Sequence, residues 1–227
     1  MKQARIFDFI GKTPLIQTTG LIQKKHVSLF LNLEGNNPAG SVKDRPAYNM
    51  IAAAIERKEL TKDMRLIEAT SGNTGIALAM IAKQFNISIE LVMPENATME
   101  RIQTMRAYGA KVILTSSDSG IEGSRAYAEH KSKQDGYLML DQFANPDNWK
   151  AHYNHTGPEI WNATHGKISH LVSAMGTTGT IMGCSTFLKE KNTNIQIIGA
   201  QPAQNARIPG IRKWSPEFLP KIFDPNK

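Results

Sequence analysis

Short apolar segments of strand length alternate with helix-like segments along most of the chain. The strand candidates contain consecutive apolar residues, and they are RLIEA (65–69), SIELVMP (88–94), AKVILT (110–115), ISHLVSAM (168–175) and IQIIGAQP (195–202). Strands of this kind are buried on both faces, as in parallel sheets covered by helices. The sequence therefore predicts an α/β fold of right-handed βαβ units, with two open, twisted, mainly parallel sheets flanked by helices.

No apolar run of the 227 residues approaches the roughly 20 residues that a membrane helix needs. The start of the chain also lacks the apolar segment that signal peptides contain, so we predict no membrane association. The only cysteine, Cys184, excludes a disulfide within the chain. We expect it to be a buried packing residue in a protein of a reducing compartment, the cytoplasm.

The formal net charge of +7 comes from lysines and arginines that are scattered among acidic residues. No basic tract is interleaved with aromatic residues, so we predict no nucleic-acid partner. A moderately positive protein instead favours small anionic ligands. His152 and His155 have no cluster of further metal ligands around them in the sequence, and we predict structural roles for both and no bound metal.

The stretch GNNPAGSVKDRP (35–46) joins a predicted strand to a predicted helix. The segment before it, SLFLNLE (28–34), has the composition of a buried strand, and the segment after it, AYNMIAAAI (47–55), that of a helix. A proline such as Pro46 is tolerated only near the start of a helix. The helix is therefore expected to begin close to Lys43.

Two interpretations of Lys43 remain open from the sequence alone. In the first, Ser41 caps the helix and Lys43 is an exposed charge. In the second, Lys43 points into a cleft, where a lowered pKa lets its amine form a Schiff base. A nucleotide-binding loop is excluded, because Ser41 and Val42 separate the lysine from the second glycine.

Two later strand-to-helix junctions are also rich in small polar residues. EATSGNTG (68–75) brings hydroxyl and amide side chains to a helix N-terminus, which favours an anion such as a carboxylate. SAMGTTGT (173–180) suits a single phosphate, since Thr178 occupies the second glycine position of a dinucleotide-binding GxGxxG loop. Taken alone, EATSGNTG is equally compatible with an ordinary helix start, whereas SAMGTTGT is a moderate signal for a phosphate.

Together the three junctions supply an amine, an anion site and a phosphate site, which is the combination that pyridoxal phosphate requires. Four motifs follow one another along the chain, and their order and spacing carry a family resemblance. They are PAGSVKDR, EATSGNTGIALA, DQFANPDN and SAMGTTGT. Through them the whole chain resembles the fold-type II pyridoxal-phosphate enzymes, which share the fold of the tryptophan synthase β subunit, and among these the cysteine synthase (O-acetylserine sulfhydrylase) family. GTTGT together with IPGIRKW (208–214) resembles the B branch of that family.

The resemblance implies a role for each matching residue. Lys43 matches the lysine that forms the Schiff base and removes the α-proton of the substrate, and Asn73 matches the residue that bonds the ring hydroxyl of the cofactor. The phosphate is implied to bind a loop made of Gly176, Thr177, Thr178, Gly179 and Thr180. The residues implied to bind substrate are Thr70, Ser71, Asn73, Thr74 and Gln142 for its carboxylate, and Arg212 for a larger anionic sulfur donor such as thiosulfate.

The implied reaction is a β-replacement that makes L-cysteine from O-acetyl-L-serine and sulfide through an aminoacrylate. The resemblance also implies a larger cofactor-binding domain, formed by residues 1–43 and 149–227, and a smaller mobile domain, formed by residues 44–148. NPDNW (145–149), near their junction, reads as a turn. A homodimer is expected, and no complex with serine acetyltransferase.

Three alternatives stay open. The first is a serine or threonine dehydratase, the second an enzyme like cystathionine β-synthase, and the third a truncated relative without activity. The chain ends soon after the strand candidate IQIIGA with no closing helix. We therefore expect the C-terminal part of the larger domain to be missing, together with the residue that bonds the pyridine nitrogen in the family.

Overall fold

The computed structural model describes residues 4–70, 72–206, 208, 210–216 and 219–226. In this part of the chain the strands are β1 (Leu15–Thr18), β2 (Leu29–Asn32), β3 (Arg65–Ala69), β4 (Ser88–Pro94), β5 (Lys111–Thr115), β6 (Tyr137–Met139), β7 (His170–Ala174) and β8 (Gln196–Ala200). The α-helices are α1 (Asp44–Glu56), α2 (Asn73–Gln84), α3 (Met99–Ala107), α4 (Gly120–Ser132), α5 (Pro146–Ala151), α6 (Gly157–Ala163) and α7 (Gly179–Lys191). Shorter helical turns cover Ile6–Phe9, Glu34–Asn36 and Ser117–Ser119, and a π-helix covers His152–Thr156.

The central sheet has four parallel strands in the order β5–β4–β3–β6. A second, two-stranded parallel sheet pairs β7 with β8, and a separate antiparallel ladder pairs β1 with β2. Helices follow β3, β4, β5 and β7 along the chain, as the βαβ pattern requires. The α/β class with parallel sheets flanked by helices is therefore confirmed.

The main hydrophobic core lies between the four-stranded sheet, α1 and α2. Residues 77–82 of α2 are completely buried, because this helix packs against β4, α1 and α3. A smaller core forms where α7 packs on β7 and β8, and it contains Cys184 and Leu188. Cys184 is fully buried as expected, and its burial raises the pKa of its thiol to about 12.

Some local predictions are wrong. The segment 28–34 forms only the short strand β2, in which Phe30 and Leu31 are 41% and 40% exposed, because a two-stranded ladder leaves much of its surface uncovered. The NPDNW segment is the helix α5, whose start is capped by Asn145 Oδ1 accepting the N–H of Asp147 at 2.9 Å. The strands β1 and β6 were not anticipated, and they have only four and three residues.

The four-stranded sheet lies within residues 44–148, and the pair β7–β8 lies within residues 149–227. Between these sheets α5 contacts both α1 and α7. The division into a larger and a smaller domain agrees with this distribution but stays a prediction. Within the described ranges, no helix combines the length and the apolar character that crossing a membrane requires.

Candidate functional site

Three junctions, β2–α1, β3–α2 and β7–α7, border one cavity of about 310 Å³. Eight of the residues singled out in the sequence line this cavity, and they are Lys43, Thr70, Asn73, Thr74, Gln142, Gly176, Thr177 and Arg212. Thr178, Gly179 and Thr180 continue the third junction without lining the cavity. Ser71 lies outside the described residues. The structure thus brings together residues that are up to 169 positions apart, from Lys43 to Arg212.

Lys43 immediately precedes α1 in a tightly bonded loop. Ser41 Oγ accepts the N–H of Lys43 at 3.2 Å, and Asp44 Oδ2 accepts the N–H of Ala39 at 2.6 Å. Ser41 therefore folds the loop and does not cap the helix, and Lys43 is half-buried beside the cavity. Burial lowers the pKa of Lys43, although the nearby Glu34 carboxylate opposes this shift. The interpretation of Lys43 as an exposed charge is wrong.

A buried ion-pair network supports this loop from behind. The Arg45 side chain is 2% exposed, and its Nη2 lies 2.8 Å from Glu34 Oε1 and 2.7 Å from Glu159 Oε2. The same nitrogen also donates to Thr13 Oγ1 at 3.0 Å. Because these partners belong to the N-terminal segment and to α6, Arg45 joins three parts of the chain directly beside Lys43. Sequence reasoning missed it, although Arg45 stands in the quoted KDR motif.

At the second junction, the polar side chains are connected to each other. Thr74 Oγ1 donates to Gln142 Oε1 at 2.8 Å, so a helix start and the DQF segment meet in a buried contact. Asn148 Nδ2 then donates to the carbonyl of Gln142 at 2.7 Å and to Thr177 Oγ1 at 3.1 Å. The buried Asn148 thereby links the predicted carboxylate site to the predicted phosphate loop. Sequence analysis did not assign it a role.

The third junction needs its glycines for close contacts. A Cβ atom at Gly176 would lie 2.6 Å from the carbonyl oxygen of Gly210, and one at Gly179 would overlap the Asn148 side chain. Thr177 Oγ1 accepts the N–H of Gly179 at 3.3 Å, which turns the chain into α7. The first backbone N–H groups of a helix have no partner within the helix, so the start of α7 favours an anion at this position.

Thr178 provides the test of whether a phosphate fits. Its φ of 69° is in the left-handed region, which costs a non-glycine residue about 1–3 kcal/mol. Thr178 is only 2% exposed, so its Oγ1 is buried. This oxygen has no hydrogen-bond partner among the described residues. A buried hydroxyl normally has a partner. A strained residue with an orphaned hydroxyl at a helix N-terminus fits a loop that binds a phosphate group.

His152 lies beneath this loop in the π-helix. Its Nε2 is 3.3 Å from Thr180 Oγ1, and its Nδ1 is 2.9 Å from Thr156 Oγ1. Burial lowers the pKa of His152 well below its ordinary value, and the positive charges of Arg45 and Lys43 add to this effect. Both ring nitrogens face hydroxyl groups, and within the described part of the chain no group of three or more potential metal ligands occurs. The structural role predicted for His152 agrees with these contacts and stays a prediction.

Arg212 reaches the cavity from a segment that is bonded to the phosphate loop. The backbone N–H of Arg212 donates to the carbonyl of Met175 at 3.0 Å. Trp214 Nε1 donates to the carbonyl of Gly176 at 2.8 Å. Arg101 and Arg125, which sequence reasoning did not single out, line the same cavity. Their positions in α3 and α4 carry no motif, so the sequence offered no signal that would have found them.

Glu68 is a buried carboxyl group near the end of β3, at the start of the second junction. Burial raises its pKa to about 8, and the negative charge of Asp141 adds to the shift, whereas Arg125 opposes it. Glu68 Oε2 accepts the N–H of Asp141 at 3.1 Å. The surroundings of Glu68 therefore favour the neutral carboxyl group over the carboxylate.

Comparison with known proteins identifies relatives along nearly the whole chain. The family described as "Pyridoxal-phosphate dependent enzyme" matches residues 6–222. Cysteine synthase B of Pseudomonas aeruginosa is 53% identical over 222 residues, which are 98% of this chain and 74% of that protein. Cysteine synthase B of Escherichia coli is 51% identical over 215 residues, or 95% of this chain and 71% of that protein.

The fold also matches a solved structure. The crystal structure of cysteine synthase from Entamoeba histolytica superposes with a TM-score of 0.93 at 36% sequence identity. The match covers 100% of this chain and 70% of that one. The fold thus agrees with that of this cysteine synthase over the full length of the present chain.

Proposed function

The chain belongs to the family of pyridoxal-phosphate dependent enzymes, and from that premise we propose that it makes L-cysteine from O-acetyl-L-serine and sulfide. The observation that carries the proposal is the convergence of Lys43, Asn73, Gln142 and the loop 176–180 around one cavity. The two bacterial relatives described above are named cysteine synthase B, which supports the same reaction.

The residues around the cavity suit each part of the cofactor. We expect Lys43 Nζ to bond its aldehyde carbon, Asn73 its ring hydroxyl, and Thr178 with its neighbours in the loop 176–180 its phosphate. When bound, pyridoxal phosphate supplies an electron sink for the charge that develops at the substrate Cα. The orphaned Thr178 hydroxyl and the lowered pKa of Lys43 support this assignment.

Lys43 is the proposed acid and base of the reaction. Its amine takes the proton from Cα, and the Cβ–O bond then breaks, with its electron pair leaving on acetate. The hydrosulfide ion then forms the new Cβ–S bond, and Lys43 returns the proton to Cα. A lysine with an ordinary pKa would stay protonated near pH 7, so the burial of Lys43 favours the role of a base.

The substrate carboxylate is proposed to bind at the second junction, to Thr70, Ser71, Asn73, Thr74 and Gln142. The hydrogen bond that Thr74 Oγ1 donates to Gln142 Oε1 fixes the orientation of that amide. The Nε2 group of Gln142 therefore points away from Thr74. A carboxylate held by such neutral donors keeps the Cα–H bond aligned with Lys43. Arg212 is proposed to help accept thiosulfate as an alternative sulfur donor.

We further propose that the protein acts in the cytoplasm as a homodimer and forms no complex with serine acetyltransferase. These expectations follow from the resemblance to the B branch of the family. Size-exclusion chromatography with light scattering measures the oligomeric state of the protein alone. The same measurement after adding a serine acetyltransferase detects a complex. A stable complex with the acetyltransferase, or a monomer at micromolar concentration, would contradict them.

The function is tested by loading the purified chain with pyridoxal phosphate and recording its visible spectrum before and after O-acetylserine. Cysteine is then assayed with sulfide, and pyruvate without it. We expect a lysine-linked cofactor band, a spectral change on adding O-acetylserine, and cysteine as the product. Lys43→Ala should remove the band and lower the turnover by about 10³-fold or more.

The alternatives give different results in the same experiment. Pyruvate formation that does not need sulfide would indicate a dehydratase, and condensation with homocysteine in preference to sulfide would indicate an enzyme like cystathionine β-synthase. A cofactor band that is identical in Lys43→Ala would overturn the role proposed for Lys43. Cofactor binding without any product would identify a relative that lacks turnover.

A further inference from the structure

The proposed reaction requires two opposing properties of Lys43. Its amine has to be neutral near pH 7 to accept the proton from Cα, and it has to be basic enough to remove that proton. Burial lowers the pKa of Lys43 and so favours the neutral form, but an amine whose pKa falls far also becomes a weak base. The negative charge of Glu34 acts against burial and raises this pKa. The balance between the two properties therefore depends on Glu34.

The Glu34 carboxylate is held by donors from several parts of the chain. Its Oε1 accepts hydrogen bonds from Thr13 Oγ1 at 2.8 Å, Asn32 Nδ2 at 3.0 Å and Arg45 Nη2 at 2.8 Å. Its Oε2 accepts hydrogen bonds from Asn37 Nδ2 at 2.9 Å and Arg45 Nε at 2.8 Å. The two bonds from Arg45 have the bidentate geometry that orients a carboxylate most strongly. The charge of Glu34 therefore has a fixed position.

The charges in this network do not balance. The guanidinium of Arg45 also binds Glu159, with Nη1 3.0 Å from Oε1 and Nη2 2.7 Å from Oε2. One positive charge is shared by two carboxylates, so one negative charge remains uncompensated. The side chains of Glu34 and Glu159 are only 18% and 28% exposed, and solvent therefore screens this charge only in part. Lys43, two residues before Arg45, is a further cation on which Glu34 acts.

The chain between Glu34 and Lys43 is fixed by short backbone bonds. Asn37 Nδ2 donates to the carbonyl of Glu34 at 2.8 Å as well as to its carboxylate. The N–H of Gly40 donates to the carbonyl of Asn37 at 2.8 Å, and the carbonyl of Lys43 accepts the N–H of Ala47 at 3.0 Å. The same carboxylate thus helps to hold the loop that presents Lys43, so a change at Glu34 has a mechanical effect as well as an electrostatic one.

Other charged or titratable groups also surround Lys43. They lie in α1, in the cavity lining and in the π-helix, and they are Asp44, Arg45, Arg101, Arg125, Arg212 and His152. Burial raises the pKa of Asp44 to about 6 and lowers that of His152 well below its ordinary value. Above about pH 7 neither group changes its charge. Within the described ranges, Glu34 is the carboxylate whose charge raises the pKa of Lys43.

We propose that Glu34 is a positioning residue for Lys43, which anchors the loop that presents the amine and provides the negative charge against which the amine holds its proton. The inference rests on the proposed function, because it concerns the proton that moves between Cα and Lys43 Nζ. Glu34 itself takes no proton. An unpaired Glu34 would hold the proton on Lys43 too tightly, and sharing Arg45 with Glu159 leaves Glu34 only part of its effect.

The test compares three variants of the full chain. Glu34→Gln removes the charge and keeps the shape of the side chain, whereas Glu34→Asp keeps the charge on a shorter side chain. Glu159→Gln is the matched control, since it also removes one carboxylate from Arg45 but not the one that acts on Lys43. Thermal unfolding shows whether each variant is folded.

Protonation of Lys43 is measured without turnover. Cofactor-free protein is acetylated with a trace of acetic anhydride at a series of pH values from about 7 to 10, a range that leaves Asp44 and His152 unchanged. Peptide mass spectrometry gives the rate at Lys43, with the exposed Lys58 as the internal reference. Because only the neutral amine reacts, the pH profile reports the protonation of Lys43. The rate at which the lysine-linked cofactor band appears after adding pyridoxal phosphate is recorded over the same range.

We expect Glu34→Gln to raise the acetylation rate of Lys43 at about pH 7 by about threefold or more, because more of the amine is neutral. Glu34→Asp should restore most of the parent profile, and Glu159→Gln should stay within about twofold of the parent. In the cofactor-loaded enzyme, Glu34→Gln should lower kcat for cysteine formation by about tenfold, because Lys43 becomes a weaker base.

Equal changes in Glu34→Gln and Glu159→Gln would show that the network only stabilises the fold, and they would overturn the proposal. A Glu34→Asp profile that matches Glu34→Gln would overturn it as well. If Glu34→Gln does not fold, the chain with Arg45→Met, Glu34→Gln and Glu159→Gln takes its place, and an unchanged profile there counts against Glu34.

The two proposals fail separately. If the parent makes no cysteine but Glu34→Gln shifts the acetylation profile, the proposed reaction fails and the role of Glu34 stands. If the parent makes cysteine and the profiles of the parent and Glu34→Gln coincide, the role of Glu34 fails and the reaction stands.

Discussion

Two groups of residues around the same cavity handle negative charge by different means. The loop group, Gly176 to Thr180, offers backbone N–H groups and hydroxyls, and its conformation is fixed by close packing against Asn148 and Gly210. The arginine group, Arg101, Arg125 and Arg212, offers full charges on long side chains that rest on an aromatic ring or near the surface. An anion bound by the first is selected by shape, and one bound by the second mainly by charge.

The difference matches what each group has to do. A cofactor phosphate stays bound through many turnovers, so a rigid loop of neutral donors at a helix N-terminus is suitable for it. A co-substrate has to enter and leave in every cycle, and guanidinium groups on a partly exposed ring allow this. Changes in the loop group should therefore act on cofactor binding and stability, whereas changes in the arginine group should act on the choice of substrate.

The largest effect is expected from removing the ion-pair network behind the loop that carries Lys43. Arg45→Met leaves Glu34 and Glu159 without their buried partner, and breaking such a pair costs about 3–5 kcal/mol. Urea unfolding of the cofactor-free protein measures the loss. The triple variant with Glu34→Gln and Glu159→Gln should recover part of it, because the unpaired charges are then removed.

A loss below about 1 kcal/mol for Arg45→Met would mean that water replaces the ion pairs. The network would then contribute little to holding the loop that carries Lys43. A triple variant that is less stable than the single one would also contradict the argument, since it would show that hydrogen bonds to Glu34 dominate over its charge.

The sequence predicted the fold class and the three junctions because each depends on local patterns. Apolar strand segments, glycines and helix starts can be recognised within about ten residues. Lys43 and the loop 176–180 were found in this way. By contrast, Arg125 carries no motif, and its place beside Arg212 depends on how α4 packs near Phe143. The buried link through Asn148 depends in the same way on tertiary contacts.

The same reasoning explains the local errors. The segment 28–34 is apolar enough for a buried strand, but its burial depends on how many strands join the sheet, and β2 pairs only with β1. The α5 helix begins at a proline that follows Asn145, a combination that is typical of turns as well as of helix starts. Local composition does not separate these two outcomes.

The next effect in size concerns pH and the buried carboxyl group of Glu68, which interacts electrostatically with Arg125. The pKa of Glu68 is raised from an ordinary 4.5 to about 8 in the folded protein, so folding favours the protonated form. Its contribution to stability is present below about pH 4.5 and is lost as the pH rises through about 8. Glu68→Gln should make the unfolding free energy less dependent on pH by on the order of a few kcal/mol between pH 5 and pH 8.

Thermal and urea unfolding at a series of pH values measure this, with Glu122→Gln as the control for an exposed carboxylate. Arg125→Gln should steepen the pH dependence, because Arg125 holds the pKa of Glu68 down. Profiles for Glu68→Gln and the parent that run parallel from pH 5 to pH 8 would show that Glu68 is ionised in the folded protein. Arg125 would then face a permanent negative charge, which would weaken the attraction of the arginine group for anions.

The smallest effect is the most specific for the loop group, and it concerns the orphaned hydroxyl of Thr178. Thr178→Val keeps the shape and the strained backbone but removes a buried hydroxyl that has no partner among the described residues. The cofactor-free protein should lose no stability, since an unsatisfied polar group costs about 1–3 kcal/mol. Affinity for pyridoxal phosphate should fall by about tenfold, because one hydrogen bond to a charged group is lost.

Thr177→Val is the matched control, and it should destabilise the cofactor-free protein, because Thr177 Oγ1 accepts hydrogen bonds from Gly179 and Asn148. If Thr178→Val bound the cofactor as tightly as the parent, the loop group would hold its anion without the Thr178 hydroxyl.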